Sequence, residues 1–164
     1  MYLSSPVDLS GACAFAMVVR LAAGTPAMTF LSALADANNK FLIGVDGVSY
    51  PTKAAITASC GNGTYNGTAA NLVIPFNTWV VIVLEKDGAK FQARVNGVNG
   101  AEVAHNNLTS SVAPVIGANA VGAVGGVLTG EIGDVFYFNQ RIIGDADAMA
   151  ALSSYVSRLY GIHA

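Results

Sequence analysis

Glu131 and Asp134, two acids three residues apart, are the pair in this chain most like acid–base machinery. Two carboxyl groups acting on one glycosidic bond must converge to about 5–9.5 Å. In a regular strand, residues three apart project to opposite faces. The expectation is therefore a solvated Glu131 and a hydrogen-bonded Asp134, not a working couple. Neither histidine has the setting of a general base: His105 stands beside Asn106 and Asn107 in a polar stretch, and His163 lies in the tail. No serine occupies a G-x-S-x-G elbow. The glycines of 122–126 open a strand-like run instead of preceding a helix, which argues against a phosphate loop. Catalytic residues: none; the chain reads as a non-enzyme. Cys13 and Cys60 lie in apolar runs with neither CxxC spacing nor a neighbouring histidine. They read as buried free thiols, in preference to a disulfide or a metal pair.

Binding chemistry is better represented. A sugar site needs an aromatic face with amide or acid groups nearby. Tyr50 and Tyr65 lie in loop-like stretches beside Asn62, Asn66 and Asn71, and these five are the candidate glycan-binding residues. The competing reading has the tyrosines covering the edge of the fold. The formal net charge is −2, and the eight lysines and arginines are scattered. No basic stripe exists, which excludes a nucleic-acid partner. No run of about 18 uninterrupted apolar residues exists either, so no membrane span is expected.

Positioning such residues falls mainly to strands. The stretch 78–98 carries the clearest signal. An apolar run, 79–84, meets a polar break at Glu85, Lys86, Asp87 and Gly88. Residues 90–95 then alternate, Phe91, Ala93 and Val95 against Lys90, Gln92 and Arg94, and Asn96-Gly97 closes the run. Strand, Asp-Gly turn, strand, Asn-Gly turn is a strong hairpin pattern. Further strands are expected at 12–22, 28–34, 41–45, 53–60, 72–74, 115–117 and 130–138, with 61–67 a loop and 101–105 a candidate pairing segment. In 12–22, Phe15, Met17 and Val19 share one face and Ala14, Ala16, Val18 and Arg20 the other. The end differs: Met149, Leu152, Val156 and Leu159 recur at helical spacing, capped by Gly144 or Asp145 and stopped by Gly161.

The expected fold class is all-β: a two-sheet antiparallel jelly-roll sandwich with a short C-terminal helix laid against one end. Val81, Val83, Phe91, Ala93, Val95, Ile132, Phe136 and Phe138 should supply much of its core. Residues 1–11 read as an N-terminal arm and 12–164 as a single domain. Charged residues make up only 11% of the chain, against about 25% in a typical soluble domain. Part of the surface is then covered by another subunit, or the chain is a stable monomer rich in small polar residues. The apolar arm residues Tyr2, Leu3, Val7 and Leu9 have no assigned partner strand and are the candidates for docking on a neighbour.

The second half resembles a known family. Trp79 opens an apolar strand, a charged Asp-Gly turn follows, and the next strand ends Val95-Asn96-Gly97. Then come Ile116-Gly117, the run Thr129-Gly130-Glu131-Ile132-Gly133-Asp134-Val135, and a closing helix ending Tyr160-Gly161-Ile162. This is similar to the laminin-G-like branch of the concanavalin A-like jelly rolls, well over 72–162 and in pattern only before that. Glycosidases of the larger fold carry E-x-D-x-x-E on one strand, of which only Glu131 and Asp134 have counterparts here. Family members also hold calcium in loops of Asp, Asn and carbonyl groups. Asp36, Asn38, Asn39, Asp46 and Asn66 match such ligands by type alone, so the resemblance allows calcium and requires no cofactor. It places Trp79 on an inner strand, in the core. The tail 154–162 resembles endings of such domains in phage and bacterial proteins. Nothing reads as a cleavable signal, since Asp8 precedes the apolar 12–23 and Arg20 interrupts it.

These observations lead to one expectation, a non-enzymatic virion structural protein. It would be a phage decoration or tail-fibre subunit that self-associates, contacts other virion proteins and adheres to surface glycans. The alternative is a carbohydrate-binding module of a bacterial extracellular protein.

Overall fold

The structure, a computed structural model, describes residues 6–23, 28–34, 40–46, 53–66, 72–106, 111–117 and 129–164. Fourteen strands occur among them: β1 Val7–Asp8, β2 Cys13–Leu21, β3 Met28–Leu34, β4 Lys40–Asp46, β5 Lys53–Cys60, β6 Gly63–Asn66, β7 Val73–Pro75, β8 Trp79–Lys86, β9 Lys90–Val95, β10 Val98–Asn99, β11 Val103–Ala104, β12 Ser111–Val112, β13 Val115–Ile116 and β14 Gly130–Phe138. One helix, α1 Ala146–Tyr160, closes the chain. The first sheet runs β10-β9-β8-β2-β14 with β11 on β9; the second runs β13-β3-β4-β5-β6 with β7 on β5. Every pairing is antiparallel.

The two sheets enclose one core. Phe15, Met17, Val19, Ile82, Leu84 and Phe91 of the first meet Phe30, Phe41, Ile43 and Ile56 of the second. The β8–β9 hairpin has its expected turns. Asp87 Oδ1 accepts from the N–H groups of Ala89 and Lys90. Asn96 and Gly97 both take positive φ, 44° and 84°, as a two-residue hairpin loop requires.

Five local expectations are corrected. The helix lies on the outer face of the first sheet, not against an end of the sandwich. It forms a second core there: Ala14, Ala16, Val18, Val81 and Val83 pack under Met149, Leu152 and Val156, with Phe136 and Phe138 partly buried at its margin. Val81, Val83, Phe136 and Phe138 thus belong to the helix layer. Leu159 falls outside the buried stripe and is 53% exposed. Residues 63–66, read as loop, form strand β6 along β5. Glu85 and Lys86, read as part of a polar break, complete β8 and are both buried. Lastly, the N-terminal segment is not free: β1 pairs with β12, Leu9 is buried in the main core and Val7 packs on it. Leu9 is thus not left to dock on a neighbour, and Val7 is half-buried. Tyr2 and Leu3 lie outside the described residues.

The helix termini follow the sequence signals. Asp145, in extended conformation, caps the amides of Asp147 and Ala148 with its side chain, and Gly161 ends the helix at φ 68°. Such a cap contributes about 1 kcal/mol.

Candidate functional site

Two charged side chains on opposite faces of one strand anchor the fold. On the outer face, Glu85 is 1% exposed at its side chain and meets Arg141 Nε at 2.7 Å. Its other oxygen accepts from the amides of Ile142 and Ile143, each at 2.7 Å. Arg141 also reaches Asp87 at 2.9 Å and Glu102 at 2.6 Å. One guanidinium so ties the segment entering the helix to the β8–β9 hairpin and to the segment after β10. The arginine's hydrogen bond, and that from Lys90, hold the Glu102 carboxyl below its ordinary range. Burial pushes Asp87 up, but the amides of Ala89 and Lys90 together with Arg141 outweigh it, and its carboxyl titrates low. On the inner face, Lys86 is fully buried. Among the described residues it has no acidic partner; Nζ donates to the carbonyls of Leu9 at 2.5 Å and Gly11 at 2.7 Å, which pins the N-terminal segment. These are structural assignments that exhaust the charged groups concerned.

A more open arrangement lies at the end of the first sheet where β2, β8 and β14 meet. Arg20 on β2 stands opposite both Trp79 on β8 and Glu131 on β14. Its Nη2 lies 2.5 Å from Glu131 Oε1, the side chains being 40% and 54% exposed. The guanidinium sits over the Trp79 ring at 5.2 Å, a contact worth about 0.5–1 kcal/mol at an exposed position. The indole meets Tyr160 of the helix at 5.0 Å. The Tyr160 and Tyr155 hydroxyls both donate to Asp134, at 2.8 and 3.2 Å. Burial, then the bond to Asp134 and its charge, pushes the Tyr160 phenol up to about 12.

A register shift between Ile132 and Val135 shapes this end. Ile132 and Val135 both pack toward the main core, so the bulge absorbs an extra residue. Asp134, which an unbroken strand would send inward, is left on the helix side together with Glu131. The expectation that the two acids take opposite faces is therefore corrected. They still do not form a pair: Glu131 is engaged with Arg20, Asp134 with two tyrosine hydroxyls. Gly133 has no room for a side chain, since a β-carbon would overlap the Tyr160 hydroxyl. Gly130, at φ 155°, could not carry a β-carbon past the Arg20 carbonyl either.

Beside the Arg20–Glu131 pair opens a depression of about 250 Å³, lined by Arg20, Leu21, Ala22, Asn77, Gly130 and Glu131. Asn77 takes a left-handed φ of 58° and donates its backbone N–H to Leu21 O at 2.7 Å. That bond fixes the turn before β8 against β2 and leaves the Asn77 side chain exposed at the rim.

No protein-family model matches the chain, and no curated protein matches it either. Solved structures do. A heptameric pentraxin from Limulus polyphemus superposes with a TM-score of 0.67 at 12% identity, over 92% of this chain and 74% of its own. The laminin G domains 4–5 of the mouse laminin α1 chain give 0.58 at 12%, over 82% of this chain and 37% of theirs. Domain 4 of an extracellular arabinanase from Geobacillus stearothermophilus, solved with arabinotriose, gives 0.56 at 15%, over 80% and 61%. The fold is a concanavalin A-like jelly roll. In this jelly roll Trp79 is half-buried between Arg20 and Tyr160, so neither face of the indole is a free platform.

The residues singled out for sugar binding have mixed fates. Tyr50 and Asn71 lie outside the described residues. Tyr65 and Asn66 are on β6, where register sets them opposite Ala58 and Thr57; Ala58 is a core position. Asn62 is committed locally: its N–H donates to Asn106 Oδ1 at 2.6 Å, and its own Oδ1 accepts from the Asn106 N–H at 2.9 Å. The structure thus does not gather these five into one described site. Of the calcium candidates, Asp36, Asn38 and Asn39 lie outside the described residues, as do the side chains of Asp46 and Asn66. Among the described residues no group of three or more His, Cys, Asp or Glu could hold a metal ion. His105 is tucked under the hairpin, Nε2 3.1 Å from Asp87 O and the ring edge-on to Phe91. Cys13 and Cys60 are free and buried, and burial raises their thiols to about 11 and about 12.

Sequence reasoning passed over Arg20, Asn77 and Arg141. Arg20 carried a signal, as the lone charge in the otherwise apolar run of β2. Asn77 and Arg141 sit in turns, where a polar residue attracts no notice.

Proposed function

We propose that this jelly roll is a non-catalytic carbohydrate-recognition domain. The observation that carries the reading is the solvent-open depression at Arg20, Asn77 and Glu131, where donors and acceptors suited to hydroxyl groups stand beside a tryptophan-backed guanidinium. The arabinanase domain that shares the fold was solved with arabinotriose, and an extracellular setting fits this use. The non-catalytic reading is supported by the separate engagement of the two acids at this end, Glu131 with Arg20 and Asp134 with two tyrosine hydroxyls. Purified protein on a glycan microarray should show saturable capture by a restricted set of glycans. An empty array across neutral and acidic glycans would refute the reading.

A self-associating subunit of a phage particle is the second reading. A charged content of 11% and a heptameric neighbour of the same fold favour self-association. Leu9 is buried in its own chain, so the associating face does not include it. Light scattering after size-exclusion chromatography distinguishes the two: a particle subunit gives a defined oligomer at tens of micromolar, whereas recognition alone is compatible with 16.7 kDa.

A further inference from the structure

We infer that the Arg20–Asn77–Glu131 depression binds a single neutral sugar ring through adjacent hydroxyl groups, and discriminates against acidic sugars. This rests on the carbohydrate reading above and assigns it a ligand class.

Charge decides the class. The site holds one cation and one anion in contact at 2.5 Å. An anionic ligand reaching Arg20 meets Glu131 beside it, and must either displace that carboxylate or share the guanidinium with a like charge. A cationic ligand meets the converse. A neutral hydroxyl avoids both costs, because each hydroxyl donates once and accepts twice. One hydroxyl accepts from Arg20 while its neighbour donates to Glu131, and the pair stays closed.

The pair has capacity left for this. Its contact uses Nη2 of the arginine and Oε1 of the glutamate. Among the described residues, Nε, Nη1 and the second carboxylate oxygen make no hydrogen bond, and neither does the side-chain amide of Asn77, which also lines the depression. An amide adds one more donor and one more acceptor. An exposed ion pair contributes little to stability, so the fold does not depend on keeping these atoms to itself.

Size sets the number of units. Drug-sized ligands occupy about 300–1,000 Å³, and this depression measures about 250 Å³. Leu21, Ala22 and Gly130 also line it, and at Gly130 a β-carbon is barred by the Arg20 carbonyl. One ring fits; an extended chain would have to leave by the open side. Engagement at one unit implies weak intrinsic affinity, raised in use by presenting several copies together.

Trp79 is the only tryptophan of the chain and lies under Arg20, so its fluorescence reports on the site. Titration with methyl mannoside and methyl galactoside should shift the emission saturably, whereas the methyl glycoside of N-acetylneuraminic acid should leave it unchanged. Arg20→Met and Glu131→Gln should each weaken neutral binding by about tenfold or more, read by calorimetry because the first variant alters the reporter itself. Both positions are exposed, and near-UV circular dichroism checks that the variants remain folded. Tighter binding of the acidic glycoside than of the neutral ones overturns the inference and leaves the carbohydrate reading standing. So does array capture that survives both substitutions, which moves the site elsewhere. Failure to bind any glycan overturns both.

Discussion

Truncating Glu85 to alanine tests how the helix layer is attached. The side chain is 1% exposed and accepts three hydrogen bonds at 2.7 Å, from Arg141 Nε and from the amides of Ile142 and Ile143. Alanine leaves two backbone N–H groups, one of them fully buried, without an acceptor. It also removes the most buried of the three carboxylates around Arg141. Breaking one side of a buried ion pair costs about 3–5 kcal/mol. Orphaned amides alone would cost about 1–3 kcal/mol each, and relaxation of the turn offsets part of that. A net loss of about 3–5 kcal/mol is expected. For a domain of this length each kcal/mol moves the melting midpoint by about 2–4 °C, so the midpoint should fall by about 6–20 °C at pH 7. Glu85→Gln keeps an acceptor and should lose about half as much. Thermal unfolding by circular dichroism reads the midpoint, and hydrogen exchange should show the Ile142 and Ile143 amides deprotected first. A midpoint within about 2 °C of wild type, with those amides still protected, would refute the assignment of Glu85 as the anchor.

Four further outcomes are expected. Asp87 and Glu102 titrate below their ordinary 3.8 and 4.5; an acid depressed in the folded state takes up its proton first when unfolded. Their contribution is therefore whole above about pH 4.5 and lost as pH falls through the folded values, so melting midpoints should drop in that range and drop less in Arg141→Met. Lys86→Met leaves the Leu9 and Gly11 carbonyls without their charged donor and should cost about 2–4 kcal/mol, with proteolysis within residues 6–12 as the local readout. Gly133→Ala drives the Tyr160 hydroxyl away from Asp134; spectrophotometric titration should then find the Tyr160 phenol, at about 12 in the parent, moved back toward its ordinary value of 10. Cys13 and Cys60, with thiols at about 11 and about 12, should be nearly inert to a disulfide reagent at pH 8 and react at the rate of unfolding.

The sandwich was legible wherever one face of a strand differs from the other. Phe91, Ala93 and Val95 alternate with Lys90, Gln92 and Arg94, and β9 is built accordingly. The Asn96-Gly97 turn and the Asp145 and Gly161 caps depend on single-residue chemistry and stand where that chemistry puts them. The seat of the helix was not legible, because β2 is apolar on both faces and polarity cannot say which layer covers which. Glu85 and Lys86 were misread because charge is a cue for solvent, while these two charges are satisfied by partners 56 and 77 residues away in sequence. The depression at Arg20 joins two strands and a turn whose spacing along the chain carries no pattern. The bulge that turns Asp134 outward left no cue beyond Gly133.

Strand β2 has a consequence for folding. Its burial is nearly continuous from Cys13 to Leu21, with Phe15, Met17 and Val19 toward the other sheet and Ala14, Ala16 and Val18 toward the helix. A slip of one residue exchanges the faces of a strand, and normally exposes oily side chains to water. Here a slip would expose almost nothing, since both sides are oily. What it would do is press the Phe15 ring and the Met17 thioether against a helix packed for small side chains, and leave alanines opposite Phe41. Volume, not polarity, guards the alignment along the middle of the strand. Polar anchors guard its ends: Arg20 between Glu131 and Trp79 at one, and Lys86 beside Cys13 at the other. Enlarging Ala14 or Ala16 would lift the helix and narrow the energy gap to the shifted pairing in the same stroke.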